Sequence, residues 1–181
     1  MFQLSLFFAA CSYELSLLSA LPDSQLTSSS SFDEYSTPAN SRLHQVASGS
    51  YGGWFASINQ PGEWIQADLD STAHVYKIST QGRNSETGHD QWLTSYQLAT
   101  SISGLENEFD FVTSSPGDDP RDFHANSDSD TVVTRAFSPR VARFVRLYPQ
   151  TWQVYISLRW EVYGCFSGTN LAFCANVFFF C

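Results

Sequence analysis

Short segments of this chain alternate apolar and polar side chains with a period of two, which is the pattern of a half-buried β-strand. In EWIQADL, the alternation places Ile65, Ala67 and Leu69 on one face. ISLRWEVYGC shows it most clearly. There the sequence predicts two opposite faces, formed by Ile156, Leu158, Trp160 and Val162 and by Ser157, Arg159, Glu161 and Tyr163. TVVTRAF and VARFVRLYP add two more predicted strands.

Two further strands are predicted between these segments. HVYKIST is expected to place Tyr76 and Ile78 on one face, with Val75 and Lys77 opposite. WLTSYQLAT is expected to bury one face, formed by Trp92, Thr94, Tyr96 and Leu98. Turn-rich segments such as QPGEW and SSPGDDPRD separate the strands. No segment shows a convincing helical period, so the pattern predicts an all-β sandwich or barrel.

Composition narrows the choice of partner. The chain has 181 residues, which suits one well-cored domain. Aromatic residues make up 15%, as suits pleated sheets. The net charge is −9 and Lys77 is the only lysine. Such a chain repels phosphate backbones, so we expect no nucleic-acid partner, and its electrostatic attraction to anionic lipid is weak.

The chain ends and the cysteines leave alternatives open. Residues 1–20 contain an apolar run, but no Lys or Arg precedes Arg42 and Glu14 interrupts the run, so a signal peptide is the less favoured interpretation beside a fragment start. The apolar tail from Leu171 to Cys181 is too short to span a bilayer. The four cysteines contain no CxxC pair, which argues against zinc: Cys11, Cys165, Cys174 and Cys181.

Signatures of catalysis are missing from the sequence. It contains no HExxH, GxSxG, GxGxxG or Walker-type loop, and its four histidines are scattered. NSDSD at 126–130 resembles a calcium loop, but Thr131 and Phe137 stand where glycine and glutamate are needed. We therefore expect neither an enzyme, nor a metal site, nor a cofactor. Arg42, Arg159 and Glu161 are expected to form an internal ion pair or network.

Eight motifs occur in an order that resembles the discoidin domain, also called the coagulation factor V/VIII C-type domain. They are SQLTSSSSF, ANSRL, GGWFA, EWIQADL, ISTQGR, QWLTSYQL, RFVRLYPQTW and ISLRWEVYGC. The resemblance implies an eight-stranded antiparallel jelly-roll β-sandwich, similar to galactose-binding domains, over residues 11–165. Residues 1–10 then form a poorly defined segment and 166–181 a tail outside the domain. It also implies a disulfide between Cys11 and Cys165, and a secreted or ectodomain location.

The resemblance further implies binding through loops at one end of the sandwich. Those loops correspond to Ser30–Ala39, Ser48–Trp54 and Arg83–Gln91. The candidate ligand-binding residues are Phe32, Tyr35, Tyr51, Arg83, Asn84, His89 and Gln91. We expect Tyr51 to be exposed at a loop tip, and we expect Trp54 and Trp92 to pack structurally at strand entrances.

Two ligand classes remain for these loops. Aromatic and planar polar groups favour a glycan or glycoprotein on a cell surface or in matrix, in an adhesion context. Phe32 and Tyr35 support the alternative, an anionic membrane containing phosphatidylserine, but Asp33 and Glu34 lie beside them. Like-charge repulsion disfavours that alternative. We therefore expect a non-catalytic recognition module, cut from a larger multidomain protein.

Overall fold

The fold is described from a computed structural model, which covers residues 11, 13–48, 51–84, 86 and 88–166. Nine strands lie in this part of the chain: β1 (Leu15–Ser16), β2 (Leu26–Ser28), β3 (Trp54–Phe55), β4 (Ile65–Gln81), β5 (Trp92–Ser101), β6 (Asp110–Phe111), β7 (Phe123–His124), β8 (Val133–Gln153) and β9 (Ser157–Phe166). Short 3-10 turns occur at Asp23–Gln25, Pro38–Ser41 and Glu106–Glu108. No helix among these residues has the length and apolar character needed to cross a membrane.

Every strand pairing is antiparallel. The main strand order is β1-β9-β4-β8-β5-β6, while β2 pairs with β4, β3 with β9 and β7 with β5. The long strands β4 and β8 organise the domain. β4 pairs with β8 through most of its length, and its second half also pairs with β9. The predicted antiparallel jelly-roll β-sandwich is confirmed. Two-residue segments such as β6 pair separately, which gives nine strands in the described residues rather than eight.

The core confirms the clearest sequence patterns. Ile65, Ala67 and Leu69 are buried, as predicted for one face of β4. Ile156, which immediately precedes β9, and Leu158, Trp160 and Val162 within it are fully buried as well. The opposite face of β9 is nevertheless also covered, because loop segments pack over Ser157 and Arg159. This second layer is important for the site, since it anchors loops to the sheet.

A bulge explains the wrong face assignment in HVYKIST. Val75 and Ile78 are both fully buried, whereas strict alternation places them on opposite faces. The pairing register of β4 shifts between Val75 and Lys77 against both neighbouring strands. An extra residue in one strand inverts the side-chain alternation beyond it.

The same error occurs in WLTSYQLAT. Leu93 is buried together with Tyr96 and Leu98, while Trp92 and Thr94 are only partly buried. Register shifts between Leu93 and Tyr96 invert the beginning of β5 relative to its remainder. The predicted buried face was therefore correct only for Tyr96 and Leu98, which follow the register shifts.

Arg42, Arg159 and Glu161, predicted to form an ion pair or network, make no direct salt bridge with one another among the described residues. Arg42 pairs with Asp23 at 2.7 Å, and Arg159 pairs with Asp130 at 2.7 Å. Glu161 instead accepts backbone N–H groups, among them that of Leu18 at 2.7 Å. Burial raises the pKa of Glu161. The carboxylate thus satisfies backbone donors just after β1 and within β9, which sequence alternation does not reveal.

The disulfide between Cys11 and Cys165 is confirmed, with a Cα–Cα distance of 5.7 Å. It closes a sequence separation of 154 residues. The chain-entropy estimate for a loop of this size is about 5 kcal/mol. Cys174 and Cys181, and the apolar N-terminal run, lie outside the described residues.

Tyr96 supplies a stability prediction. Its ring stacks on Phe123 with centroids 5.5 Å apart, burial raises its pKa, and its hydroxyl has no hydrogen-bond partner among the described residues. A buried unpaired hydroxyl is destabilising, so Tyr96→Phe should raise the free energy of unfolding by about 1 kcal/mol. Tyr148→Phe is the matched control, because it removes an acceptor of Arg146 and should lower stability by about 1 kcal/mol. Urea denaturation measures both, and a destabilised Tyr96→Phe protein would contradict the argument.

Candidate functional site

The three loops predicted for recognition meet at one end of the sandwich. The Tyr51 N–H donates to the Tyr35 carbonyl at 3.2 Å, which joins the second loop to the first. The Asn84 N–H donates to the Gly52 carbonyl at 3.0 Å, which joins the third loop to the second. These bonds place side chains from three distant parts of the sequence beside one another.

Two glycines allow the close approach of these loops. A Cβ on Gly82 would lie 2.6 Å from the Gln91 carbonyl oxygen, so only glycine lets the two stems of the third loop meet. Gly52 has φ +72°, and a Cβ there would lie 2.6 Å from Cβ of Asn84. Both glycines therefore have a steric role at the base of the site.

The first loop is fixed by a buried carboxylate and a tryptophan. Glu63 is buried and accepts hydrogen bonds from the hydroxyls of Ser29 and Ser30. The Trp54 indole N–H donates to the Ser30 carbonyl at 3.0 Å. Trp54 is therefore structural, as its position at a strand entrance predicted.

A cavity of about 360 Å³ opens between the loops. It is lined by Phe32, Tyr51, Phe55, Arg83, His89, Gln91 and Tyr155. Five of the seven predicted residues are in this lining. Tyr35 lies outside it and is exposed, and the buried Asn84 lies behind it, accepting a hydrogen bond from the Ala47 N–H at 3.4 Å.

Tyr51 is not the exposed tip residue that the sequence suggested. Its ring is partly buried, with centroids 5.9 Å from Tyr35 and 6.0 Å from Phe55. A hydrogen bond from its hydroxyl to Asp33 raises the pKa of Tyr51. The exposed aromatic residues of the first loop are Phe32, at 58%, and Tyr35, at 48%. The prediction was wrong because a glycine-rich loop turned the Tyr51 ring onto its neighbours.

Arg83 forms part of the cavity wall and also locks the loops. Its Nε donates to the Tyr51 carbonyl at 3.0 Å, and its Nη1 donates to Gln91 Oε1 at 3.2 Å. The guanidinium lies 4.7 Å from the centroid of the Phe55 ring and 5.2 Å from that of Tyr51. Burial lowers the pKa of Arg83. The charge is thus held rigidly between aromatic faces.

Sequence reasoning missed the contribution of the β8–β9 connection. Tyr155 lies in this connection, its ring centroid is 6.2 Å from that of Phe32, and its hydroxyl donates to the Ser57 carbonyl at 3.2 Å. Its neighbour Val154 has φ +61° and is 64% exposed. A β-branched residue in the left-handed region is unusual, and such strain clusters at functional sites. The sequence signal available for this contribution was the presence of apolar residues in so short a connection between two strands.

Carboxylates lie around the site, on Asp33, Glu34, Glu86 and Asp90. Among the residues that the structure describes, no group of three or more His, Cys, Asp or Glu side chains is placed to hold a metal ion. In the NSDSD segment, Asp128 accepts the N–H groups of Asp130 and Thr131, and the Thr131 bond is the main cause of its lowered pKa. This segment is a closed turn.

Comparisons with known proteins support this geometry. A family model described as the F5/8 type C domain matches residues 25–162. Neuropilin-2 of Rattus norvegicus is 34% identical over 148 residues, which are 80% of this chain and 15% of that protein. The chain therefore spans only a small part of that relative.

Solved structures give the same result. Discoidin II of Dictyostelium discoideum has a TM-score of 0.73 at 30% identity, with 84% of this chain and 59% of that chain covered. The family 32 CBM from C. perfringens NanJ, in complex with galactose, shares the fold, with a TM-score of 0.56 at 18% identity and coverage of 83% and 99%. From its strands, its loop cavity and these matches, the chain belongs to the F5/8 type C, or discoidin, domain family.

Proposed function

We propose that this domain is a non-catalytic extracellular recognition module that binds a glycan or glycoprotein through the loop cavity. The observation that carries the proposal is the cavity itself. It combines aromatic walls with a few fixed polar groups, which is the usual composition of a small-ligand site. The galactose complex of a structure with the same fold supports a sugar as the ligand.

The cavity walls suit a sugar ring. Phe32, Tyr51 and Tyr155 offer apolar faces for the C–H groups of a pyranose. Gln91 and His89 offer donors and acceptors for hydroxyl groups. Because Arg83 already holds Gln91 in place, one of these polar groups is oriented before any ligand arrives.

The lining argues against hydrolysis of such a ligand. Glycoside hydrolysis normally uses a pair of carboxylic side chains on either side of the scissile bond. Among the described residues that line the cavity there is no Asp or Glu. Asp33 lies on the adjacent loop and is engaged by backbone and hydroxyl donors. Recognition without catalysis is therefore the function that the site supports.

The location and context follow from two observations. The Cys11–Cys165 disulfide is the kind of bond that persists in oxidising compartments, which supports a secreted protein or an ectodomain. The chain matches 15% of the length of Neuropilin-2, which supports a place within a larger multidomain protein. An adhesion role on a cell surface or in matrix is consistent with both.

Exposed apolar side chains favour a second candidate, docking on an anionic membrane. Phe32, Ile58 and Val154 are each at least half exposed, and hydrogen bonds join their segments at the same end of the domain. Acidic residues surround this end, however: Asp33, Glu34, Glu86 and Asp90. Their repulsion from anionic lipid places this candidate second.

Ligand binding should depend on Phe32. In a glycan panel followed by NMR titration with the best binder, Phe32→Ala should weaken binding about tenfold or more, because it removes an aromatic wall. Ile102→Ala is the matched control, since Ile102 is 61% exposed but follows the far end of β5. Equal affinities for the two variants, or a panel without any binder, would count against the proposal.

Preformed loop contacts should also matter. Gly52 and Gly88 have nearly the same φ, +72° and +71°, but only Gly52 faces a neighbour within contact distance. Gly52→Ala should therefore weaken ligand binding by separating the second and third loops, whereas Gly88→Ala should carry only local strain of about 1 kcal/mol. Titration calorimetry compares the two variants, and unchanged affinity for Gly52→Ala would show that the loop contact is dispensable.

Vesicle flotation separates the two candidates. At physiological salt, the domain should not float selectively with phosphatidylserine vesicles relative to neutral vesicles, because its acidic end is repelled. Selective flotation that is lost in Phe32→Ala and kept in Ile102→Ala would instead establish the membrane candidate.

A further inference from the structure

Three buried arginines can be compared directly in this domain. Arg146 and Arg159 are 3% and 2% exposed, and each forms a salt bridge at 2.7 Å, to Glu106 and Asp130 respectively. Arg83 is similarly buried, at 8% exposed, and it lines the cavity. Among the described residues, Arg83 is the buried arginine without a salt bridge.

No other acidic side chain of the protein remains to form a salt bridge with Arg83. The chain has 18 Asp and Glu residues, and all of them lie in the described ranges. Asp33 is on the neighbouring loop, but its carboxylate accepts bonds from the Tyr35 N–H, the Ser36 hydroxyl and the Tyr51 hydroxyl. No acidic side chain of the described residues therefore forms a salt bridge with Arg83.

A buried guanidinium without a counter-charge is costly, because neutral carbonyl and amide oxygens replace its hydration only in part. Arg83 has two such partners, the Tyr51 carbonyl and the Gln91 amide oxygen. Its Nη2 donates to no acceptor among the described residues. The group therefore has free donor capacity and uncompensated charge in the wall of a ligand-sized cavity.

We propose that Arg83 is the specificity-determining residue of the site, and that it selects a sugar bearing a carboxylate, such as a uronic acid. This inference rests on the proposed glycan-binding function and gives its ligand class. A guanidinium pairs with a carboxylate through two parallel N–H···O bonds, and such charge-assisted bonds are roughly twice as strong as neutral ones. The neutral galactose ring offers only hydroxyl oxygens, whose hydrogen bonds to the guanidinium lack this charge assistance.

Charge complementarity limits the ligand to few acidic groups. The domain carries −9, and Glu34, Glu86 and Asp90 are exposed on the same loops as the cavity. A polyanionic ligand would be repelled by these acidic side chains at many points along its length. A single carboxylate enters the cavity, where its attraction to Arg83 is short-range and little screened. One acidic sugar in an otherwise neutral glycan fits both conditions.

The test compares three matched probes by titration calorimetry at physiological salt. They are methyl galactopyranoside, methyl galactopyranosiduronate and the corresponding uronamide, which differ only at the sixth carbon. We expect the uronate to bind at least tenfold more tightly than both neutral probes. Binding of all three with equal affinity overturns the inference and leaves the proposed function intact. Binding of none contradicts both.

Two variants assign the preference to Arg83. Arg83→Gln should bind the three probes within about twofold of one another, whereas Arg121→Gln, the same charge change outside the cavity lining, should keep the uronate preference. If the loops of Arg83→Gln are disordered, Arg83→Lys provides the test instead. It keeps the positive charge and should keep part of the preference for the uronate. A preference that survives Arg83→Gln overturns the inference. So does tighter binding of N-acetylalanine than of the uronate, which would indicate a peptide carboxylate.

Discussion

The recognition end depends on one buried guanidinium beneath it. Arg159 of β9 donates to the carbonyl of Gly82, to that of Gln45 and to that of Ser129, and it also pairs with Asp130. It thereby ties the sheet to the segment before the second loop, to the stem of the third loop and to the turn beside them. Replacing it would leave several buried carbonyls unsatisfied at once, so the loops have little freedom at their bases.

Arg83 is a second buried arginine that joins the loops, but fewer of its N–H donors have protein acceptors than those of Arg159. Arg159 uses its donors on protein oxygens and on one carboxylate, and it is structural. Arg83 holds two neutral oxygens and no carboxylate. Both arginines are buried and rigid. They differ in the N–H donors and the positive charge that the protein leaves without a partner. Satisfied polar groups fix a fold, and unsatisfied polar groups in a concave wall direct a ligand.

Sequence pattern predicted the fold well because strand periodicity and ordered motifs are local signals. Alternation assigned Ile65, Ala67 and Leu69 to the core, and the family resemblance implied the three loops that meet at one end. Alternation failed at Val75 and Leu93, where bulges inverted it. Sequence reasoning also gave no means of ranking Arg83 above Arg159, since their difference lies in long-range partners, and it missed Tyr155 because no loop motif marks it.

The opposing charges of surface and cavity have a further consequence. Repulsion from the acidic residues acts over about one Debye length, roughly 8 Å at physiological salt, whereas attraction to Arg83 acts at hydrogen-bond distance. Added salt therefore weakens the repulsion more than the attraction, because the guanidinium is shielded by aromatic rings and loop backbone. A ligand of one negative charge should thus bind no more weakly as salt rises, the reverse of the behaviour of a basic surface that collects polyanions.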